Sequence, residues 1–336
     1  MLRIHFLPND ILKLRLAAEP DPLWETVLSL FRILRGDGPV VLKEWRGVAI
    51  QRCRQSTLRM LLPLTPGGYF PDFLTPAEGA LGLEAGIDAL LSTPRQRLRR
   101  EVELLAAQAG SLPAWTTSLA DGNPETLEHL GQTLLTYHRT VIEPYWPEAR
   151  AHVEADRTKR ARAFLEGGFD GLLNSFQPLM RWESPFLEVN VPYDETVYLN
   201  GRGLVLIPSY LSWRYPDKLE NPDLPPVLVY PVQHDLVLSA RARGSESSLS
   251  SLVGPTRAII LDSIESGYST TELARRVGVT PGSISQHTAV MRDAGLILTS
   301  RVGKAVVHTL TPAGTALLDA SAGPIGSGSA RPPSSR

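Results

Sequence analysis

Apolar residues recur at helical spacing through most of the first half of the chain. One face of the segment 21–35 is apolar at a period of 3.6 residues, which predicts a helix buried on one side. This face consists of Leu23, Val27, Leu30, Phe31 and Leu34. A second helical pattern runs from about residue 124 to 166, and Pro144 and Pro147 predict a kink or break within it. After a short first strand, residues 1 to about 180 are therefore expected to be mostly helical.

The pattern changes to short β-rich runs after Trp182. These runs are FLEVNV, TVYL, GLVLIP and PVLVYPV. Asn200-Gly201 lies between two of them, and this dipeptide is a strong signal for a β-hairpin. An N-terminal domain, placed at residues 1–240, is therefore expected to be α+β, mostly helical with a small antiparallel sheet.

Composition indicates a folded protein and limits its chemistry. Of the 336 residues, 43% are hydrophobic and 21% charged, and the net charge is −1, so binding to nucleic acid would need a local positive face. Cys53 is the single cysteine, which excludes an intramolecular disulfide and a cysteine-rich metal site. The first residues lack the apolar stretch of a signal peptide, and no run approaches the ~18 apolar residues of a membrane span. A cytoplasmic protein that does not bind a membrane is expected.

Two polar segments set off a second domain. SARARGSESSLSS, which begins at Ser239, is expected to be a linker or a loosely held helix start. Residues 321–336 are rich in Gly, Ser and Pro and are expected to form a disordered tail. The segment between them, residues 247–320, is expected to fold separately as a winged helix-turn-helix domain, for the reasons that follow.

Three helices are predicted at the start of this domain. The first is PTRAIILDSIES, which presents Ile259, Ile260 and Ile264 to a core and ends at Gly267. The second begins at STTE, which has the spacing of a capping box. The third spans residues 281–294, with a threonine N-cap followed by proline. Because only Gly278-Val279 connects the second helix to the third, the order predicts a helix-turn-helix.

A basic β-hairpin is predicted directly after the third helix. Residues 297–310 form two strand patterns folded about Val302-Gly303, with Arg301 and Lys304 at the tip. Such a hairpin is typical of the wing of a winged helix, which contacts the phosphate backbone or the minor groove. Residues 270–310 contain five Lys or Arg against two acids, so this segment is positive within a chain of net charge −1.

The third helix exposes hydrogen-bonding groups in its first half and has no acid before Asp293. Its positive N-terminal dipole is therefore free to meet phosphate, and Gln286 can bind adenine bidentately in the major groove. Simple solvation is the alternative explanation for Ser283 and Ser285, and packing against the second helix is the alternative for His287. The candidate DNA-binding residues are Thr280, Ser283, Ser285, Gln286, His287, Arg292, Arg301, Lys304, Arg275 and Arg276.

The order S-x-S-Q-H, M-R-D-A-G-L, R-x-G and V-x-H-x-L-T, over roughly residues 247 to 320, resembles the ArsR/SmtB repressors. The resemblance implies a homodimeric bacterial transcription regulator, a repressor, that binds a partly palindromic operator in double-stranded DNA. It places DNA contacts on Ser283, Ser285 and Gln286, with Arg301 and Lys304 in the wing.

This sequence departs from that family at its metal sites. Many members sense metals through Cys-x-Cys in the helix that here is TTELARRV, or through Asp, His and Glu on the closing helix, where this chain offers only Asp319. No metal and no cofactor are therefore expected. Thr288 also stands where the family usually has leucine, which affects how the third helix packs.

The N-terminal domain is expected to dimerise or to bind a small-molecule effector. Its size exceeds what dimerisation requires, which is the reason to consider an enzyme as well. Ordinary core packing is the alternative explanation for its aromatic residues, and an enzyme in this domain is the alternative function. No G-x-S-x-G or H-E-x-x-H motif or phosphate-binding loop favours the enzyme. The candidate effector-binding residues are Tyr145, Trp146, Trp182, Tyr210, Trp213 and Tyr215.

Overall fold

The computed structural model describes residues 1–234, 248–264, 268–302 and 305–321. These residues fall into two compact units. The N-terminal unit comprises Met1–Gly38 and Leu42–His234, and the described residues from 248 onward build the C-terminal unit. The domain boundary placed between residues 240 and 247 and nearly all of the tail 321–336 lie outside the described residues, so both stay predictions.

Helices make up most of the N-terminal unit as far as residue 174. They are α1 (Pro8–Leu12), α2 (Pro22–Arg35), α3 (Val40–Arg52), α4 (Gln55–Leu61), α5 (Leu83–Leu91), α6 (Arg95–Ala109), α7 (Trp115–Ala120), α8 (Pro124–Tyr137) and α9 (Trp146–Asn174). A π-helical turn, His138–Ile142, and a 3₁₀ turn, Glu143–Tyr145, separate α8 from α9. The break predicted near the two prolines is confirmed, because the backbone leaves α-helical geometry there.

Helix α2 lies at the centre of the N-terminal unit. Its N-terminus is capped by Asp21, which accepts the N–H groups of Leu23 and Trp24 at 2.9 and 3.0 Å. Every residue from position 22 to 33 is buried, whereas Leu34 is 43% exposed. The prediction of one-sided burial with Leu34 on the inner face is therefore wrong. Helix α5, the 3₁₀ turn Ala77–Leu81 and the π-helical turn all pack against α2, so it is enclosed on several sides.

Two mixed sheets complete the N-terminal unit. Their strands are β1 (Leu2–His5), β2 (Arg15–Leu16), β3 (Met180–Glu183), β4 (Phe186–Val189), β5 (Glu195–Tyr198), β6 (Val205–Ser209), β7 (Asp217–Lys218) and β8 (Val227–Pro231). The first sheet has the order β3-β4-β1-β5, with β1 antiparallel to β4 and parallel to β5. The second has the order β2-β6-β8-β7, with β6 parallel to β2 and β8. The single small antiparallel sheet of the prediction is corrected to these two sheets.

The hairpin predicted at Asn200-Gly201 does not form. Both residues adopt positive φ angles, 54° and 78°, as this dipeptide favours. The flanking strands nevertheless pair in different sheets, β5 with β1 and β6 with β2 and β8. The dipeptide makes a tight turn, but strands distant in sequence supply the hydrogen-bond partners.

A buried polar network ties helices α2 and α9 to the segment after β6. The Glu25 carboxylate on α2 accepts the backbone N–H groups of Tyr210 and Leu211 at 2.7 and 2.8 Å. The Tyr210 hydroxyl donates to Glu148 of α9 at 2.6 Å. Burial raises the pKa of Glu25 to about 7, against the opposing effect of these hydrogen bonds. The network satisfies backbone groups that would otherwise be buried without partners.

The C-terminal unit combines helices with a small antiparallel sheet. Its helices are α10 (Ser248–Val253), α11 (Pro255–Ser263), α12 (Thr270–Val277), α13 (Pro281–Asp293) and α14 (Pro312–Ser321). Strands β9 (Tyr268–Ser269), β10 (Ile297–Val302) and β11 (Ala305–Leu310) form a sheet of order β10-β11-β9. Ile260 and Ile264 are buried as predicted, whereas Ile259 is only half-buried. The fold is thus α+β with small sheets.

Among the described residues, no helix combines the length and the apolar character needed to cross a bilayer.

Candidate nucleic-acid interface

A tight turn joins α12 to α13. Gly278 adopts the left-handed conformation, with φ 80° and ψ 25°, and its N–H donates to the Ala274 carbonyl at 2.9 Å. Glycine suits this position because a Cβ is strained in the left-handed region. Thr280 then caps α13, since its hydroxyl accepts the Ser283 N–H at 3.2 Å. The predicted turn and N-cap are both confirmed.

The start of α12 is fixed by the predicted capping box. The Ser269 hydroxyl accepts the Glu272 N–H at 3.2 Å, and the Glu272 carboxylate accepts the Ser269 N–H at 2.9 Å. Hydrogen bonds from the Ser269 hydroxyl and N–H lower the pKa of Glu272. Glu272, the acid of α12, therefore serves to cap its own helix.

Buried aliphatic side chains hold α13 against the rest of the unit. Leu273 and Val277 of α12 are fully buried, as are Ile284 and Met291 of α13. Thr288 is also buried, and its hydroxyl donates to the Ile284 carbonyl at 2.8 Å. A threonine fits here because its polar atom is satisfied within the helix. Because these residues face inward, the opposite face of α13 is exposed to solvent.

The outer face of α13 carries the polar residues of its first half. Thr280, Ser285 and Gln286 are exposed, and Ser283 is half-buried. The Ser285 hydroxyl donates to the Pro281 carbonyl at 2.9 Å, which leaves its oxygen free to accept. The side-chain amide of Gln286 makes no hydrogen bond to any of the residues that the structure describes. Its amide can therefore donate to and accept from an external group.

His287 is half-buried beside the same face. Burial lowers the pKa of its imidazole, and the Arg257 guanidinium on α11 lowers it further. The side chain is therefore neutral at neutral pH, when one ring nitrogen donates and the other accepts. Its contact with DNA stays a prediction.

The candidate DNA-binding cations differ in whether they already interact with other groups of the protein. Arg275 and Arg301 are exposed and take part in no salt bridge with any described residue. Arg292 pairs with Asp293 at 3.3 Å, and both side chains are exposed, so this pair is weak. The Arg276 guanidinium lies 4.4 Å from the centre of the Tyr268 ring, so it packs on the protein. Lys304 lies outside the described residues.

A buried histidine holds α12 and the sheet together. The ring nitrogens of His308 lie 3.0 Å from the hydroxyls of Thr270 and Thr299, so one donates and the other accepts. Burial lowers its pKa, which keeps it neutral. The sequence showed a histidine among the apolar residues of a predicted strand, but the two threonines become its partners only through the register of β10 and β11.

The aromatic residues considered for effector binding occupy several different places. Tyr145 and Trp146 are half-buried at the start of α9, and the Trp146 ring packs edge-on against His138, with 5.5 Å between ring centres. Trp182 is buried and its indole N–H donates to Asp170 at 2.6 Å. Trp146 and Trp182 therefore serve packing and hydrogen bonding within the N-terminal unit.

The other three aromatic residues lie nearer to one another. Tyr210 is buried in the polar network and packs on His234, with 4.7 Å between ring centres. Trp213 lies 6.2 Å from the same histidine ring, and it lines a cavity together with Tyr215. Two residues of the predicted set, Trp213 and Tyr215, thus line the same cavity.

The buried titratable groups near Tyr210 are closed to solvent. Glu25, His152 and His234 are each at most 2% exposed, and burial lowers the pKa of His234 to about 3. A substrate cannot reach them in this conformation. Within the described ranges, no three His, Cys, Asp or Glu side chains are grouped so as to hold a metal ion.

Comparison with known proteins assigns the class of the C-terminal unit. Residues 254–299 match the family described as bacterial regulatory protein, arsR family. The chain therefore carries an ArsR-family helix-turn-helix domain, built from α11, the α12–α13 pair and the start of β10.

One curated relative is the HTH-type transcriptional regulator NmtR of Mycobacterium tuberculosis. It is 32% identical over 65 residues, which cover 19% of this chain and 54% of NmtR. The chain thus matches about half the length of this relative. No solved structure matches the chain.

Proposed function

We propose that this protein is a DNA-binding transcription regulator, and that its C-terminal unit is a winged helix. In this proposal α13 enters the major groove of double-stranded DNA. The β10–β11 pair is the wing and contacts the phosphate backbone or the adjacent minor groove. The ArsR-family domain and the similarity to a protein named as a transcriptional regulator support the assignment.

The observation that carries the proposal is the exposed polar face of α13. The side-chain amide of Gln286 projects from it without a hydrogen-bond partner among the described residues, next to exposed Ser285 and Thr280. The first turn of α13 holds no acid, so its N-terminal N–H groups and dipole favour an approaching phosphate. The free amide suits bidentate recognition of adenine.

Two exposed arginines supply charge on the elements next to α13. Arg275 belongs to α12 and Arg301 to β10, and both are free of salt bridges to described residues. We assign both to phosphate contacts, which position the protein without reading sequence. Lys304 is assigned the same role from its place in the predicted wing tip. Arg292 and Arg276 are assigned secondary phosphate contacts, since each already has a protein partner.

Replacing Gln286 by alanine tests the base contact. Gln286→Ala should weaken binding to a specific site by about 1–3 kcal/mol, because one bidentate base contact is lost. The matched control is Gln96→Ala, which removes an exposed glutamine from α6 of the other unit. Fluorescence anisotropy with DNA from upstream of the protein's own gene measures both. If the two variants bind that DNA equally well, α13 does not read sequence through Gln286.

Replacing Arg301 by alanine tests the proposed wing. Arg301→Ala should weaken binding to specific and unrelated DNA by the same factor, and should reduce the salt dependence by about one phosphate contact. Arg162→Ala, at an exposed arginine of α9, is the control. A loss confined to the specific sequence would contradict the assignment of Arg301 to the backbone.

We further propose that the regulator is a homodimer that represses transcription from a partly palindromic operator. Two-fold symmetry in the protein is matched by symmetry in the half-sites of the DNA. Sedimentation of the protein with and without operator DNA checks this. Two chains per operator and reduced transcription in a purified system are expected, and one chain per operator would contradict it.

A further inference from the structure

A cavity of about 360 Å³ opens beside α2 in the N-terminal unit, lined by Trp213 and Tyr215 among others. We propose that it binds a small aromatic molecule that presents an N–H or ammonium donor to Asp217. This ligand site goes beyond the proposed DNA binding, and every residue that the argument uses belongs to the N-terminal unit.

The lining of the cavity is rich in aromatic rings. Phe31 and Phe70 pack edge to face with 6.0 Å between their centres, and Tyr69, Trp213 and Tyr215 contribute further rings. Aromatic rings favour flat ligands that stack or meet them edge-on. The volume is near the lower end of the roughly 300–1,000 Å³ typical of ligand pockets. The cavity therefore fits a compact ring system.

Asp217 is the carboxylate of the lining that has no hydrogen bond or salt bridge to a described residue. Arg32 pairs instead with Asp37 at 2.6 Å. Burial raises the pKa of Asp217 to about 6, against the opposing effect of Arg32 and Arg35, so the group is charged at neutral pH. A charged carboxylate in a partly enclosed site is stabilised by a ligand that donates hydrogen bonds to it.

The other acidic groups and the lysine of the lining have partners within the protein. Asp72 accepts the N–H groups of Glu220 and Asn221 at 3.0 and 2.7 Å. Lys218 pairs with Glu195 and Glu220 at 3.1 and 3.2 Å.

The balance of charge favours a donor over an anion. The lining contains three cationic and four acidic side chains, so it has no positive excess to attract an anion. Arg32 is held by Asp37, and the exposed Arg35 lies with its guanidinium 5.5 Å from the centre of the Phe31 ring. The buried Nε of Arg32 has no hydrogen-bond partner among the described residues, but acidic side chains outnumber cations in the lining, so a cationic hydrogen-bond donor is favoured over an anion.

Two probes with the same ring separate the alternatives. Benzamidine presents N–H donors and a positive charge, whereas benzoate presents acceptors and a negative charge. Titration calorimetry on the full chain should detect benzamidine binding, with benzoate at least about tenfold weaker, as expected for one charged hydrogen bond. Asp217→Asn should lower the benzamidine affinity about tenfold or more by the same reasoning. Asp223→Asn, at an exposed acid outside the cavity lining, should not change it.

Several results would overturn the inference. They are equal or stronger binding of benzoate, no binding of either probe, and unchanged benzamidine affinity in a folded Asp217→Asn protein. If that variant fails to fold by circular dichroism, Trp213→Leu replaces it, and benzamidine binding should then weaken because one aromatic wall is lost. Unchanged binding in Trp213→Leu would also contradict the proposal. No readout involves DNA, so failure here leaves the proposed regulator untouched.

Discussion

His138 shows how a single buried side chain can reduce stability. It opens the π-helical turn after α8 and is 6% exposed, and neither ring nitrogen has a hydrogen-bond partner in the described part of the chain. Burial lowers its pKa to about 4. A buried donor and acceptor without partners cost free energy that folding must recover elsewhere.

Phenylalanine at position 138 should therefore stabilise the protein. His138→Phe keeps the ring against Trp146 and removes the unpaired nitrogens, so the free energy of unfolding should rise by about 1 kcal/mol at neutral pH. The pKa of His138 in the folded protein lies below its unfolded value. Wild-type stability is therefore lost as pH falls from about 6.5 towards 4, and the variant lacks this loss.

Urea unfolding at pH 5 and pH 7.5 measures both effects. The control is His129→Phe, which changes an exposed histidine of α8 and should alter stability little. A less stable His138→Phe protein at both pH values would show that His138 has a partner, such as a bound water.

At the scale of secondary structure, the turn between α12 and α13 fixes how the two helices meet. Gly278 has φ 80°, whereas Gly282 lies within the first turn of α13 and an added Cβ would meet no atom closer than 3.9 Å. The same substitution at these two glycines should thus have opposite effects.

Gly278→Ala should destabilise the C-terminal unit by about 1–2 kcal/mol, because alanine is strained in the left-handed region. Gly282→Ala should leave stability unchanged or raise it by up to about 1 kcal/mol, because alanine favours helix. Hydrogen exchange of the amides in α12 and α13 measures the change. Equal effects of the two substitutions would contradict the assigned role of Gly278.

Local signals in the sequence predicted the C-terminal elements well. The cap at Ser269, the N-cap at Thr280 and the turn at Gly278 each depend on residues within a few positions, so their chemistry is visible in one stretch of sequence. Asn200-Gly201 was equally clear as a turn, yet the predicted hairpin was wrong because β1, β2 and β8 supply the strand partners. Pairing between distant strands depends on the whole fold.

The candidate site likewise combines features that local sequence predicts with features that depend on tertiary contacts. The exposed face of α13 followed from helical periodicity, whereas the stacking of Arg276 on Tyr268 and the bridge from His308 to Thr270 depend on tertiary contacts. The six aromatic residues are spread through the N-terminal unit, and composition alone could not show that Trp213 and Tyr215 line one cavity. The carboxylate that complements them, Asp217, gave no signal in the sequence.

For the whole molecule, a net charge of −1 conceals an uneven distribution. Five Lys or Arg against two acids fall within residues 270–310, and Glu272, one of those acids, is committed to its helix cap. Association with DNA depends on such local charge, and the release of counterions makes it weaker as salt rises. This feature can be tested without knowing the operator in advance.

The most direct test is a titration of the full chain against DNA from upstream of its own gene, at two salt concentrations, beside unrelated DNA of equal length. We expect tighter binding to the upstream DNA, with an affinity that falls as salt increases. Equal binding to both DNAs, or no binding that depends on salt, would contradict the assignment of the exposed face of α13 to duplex DNA.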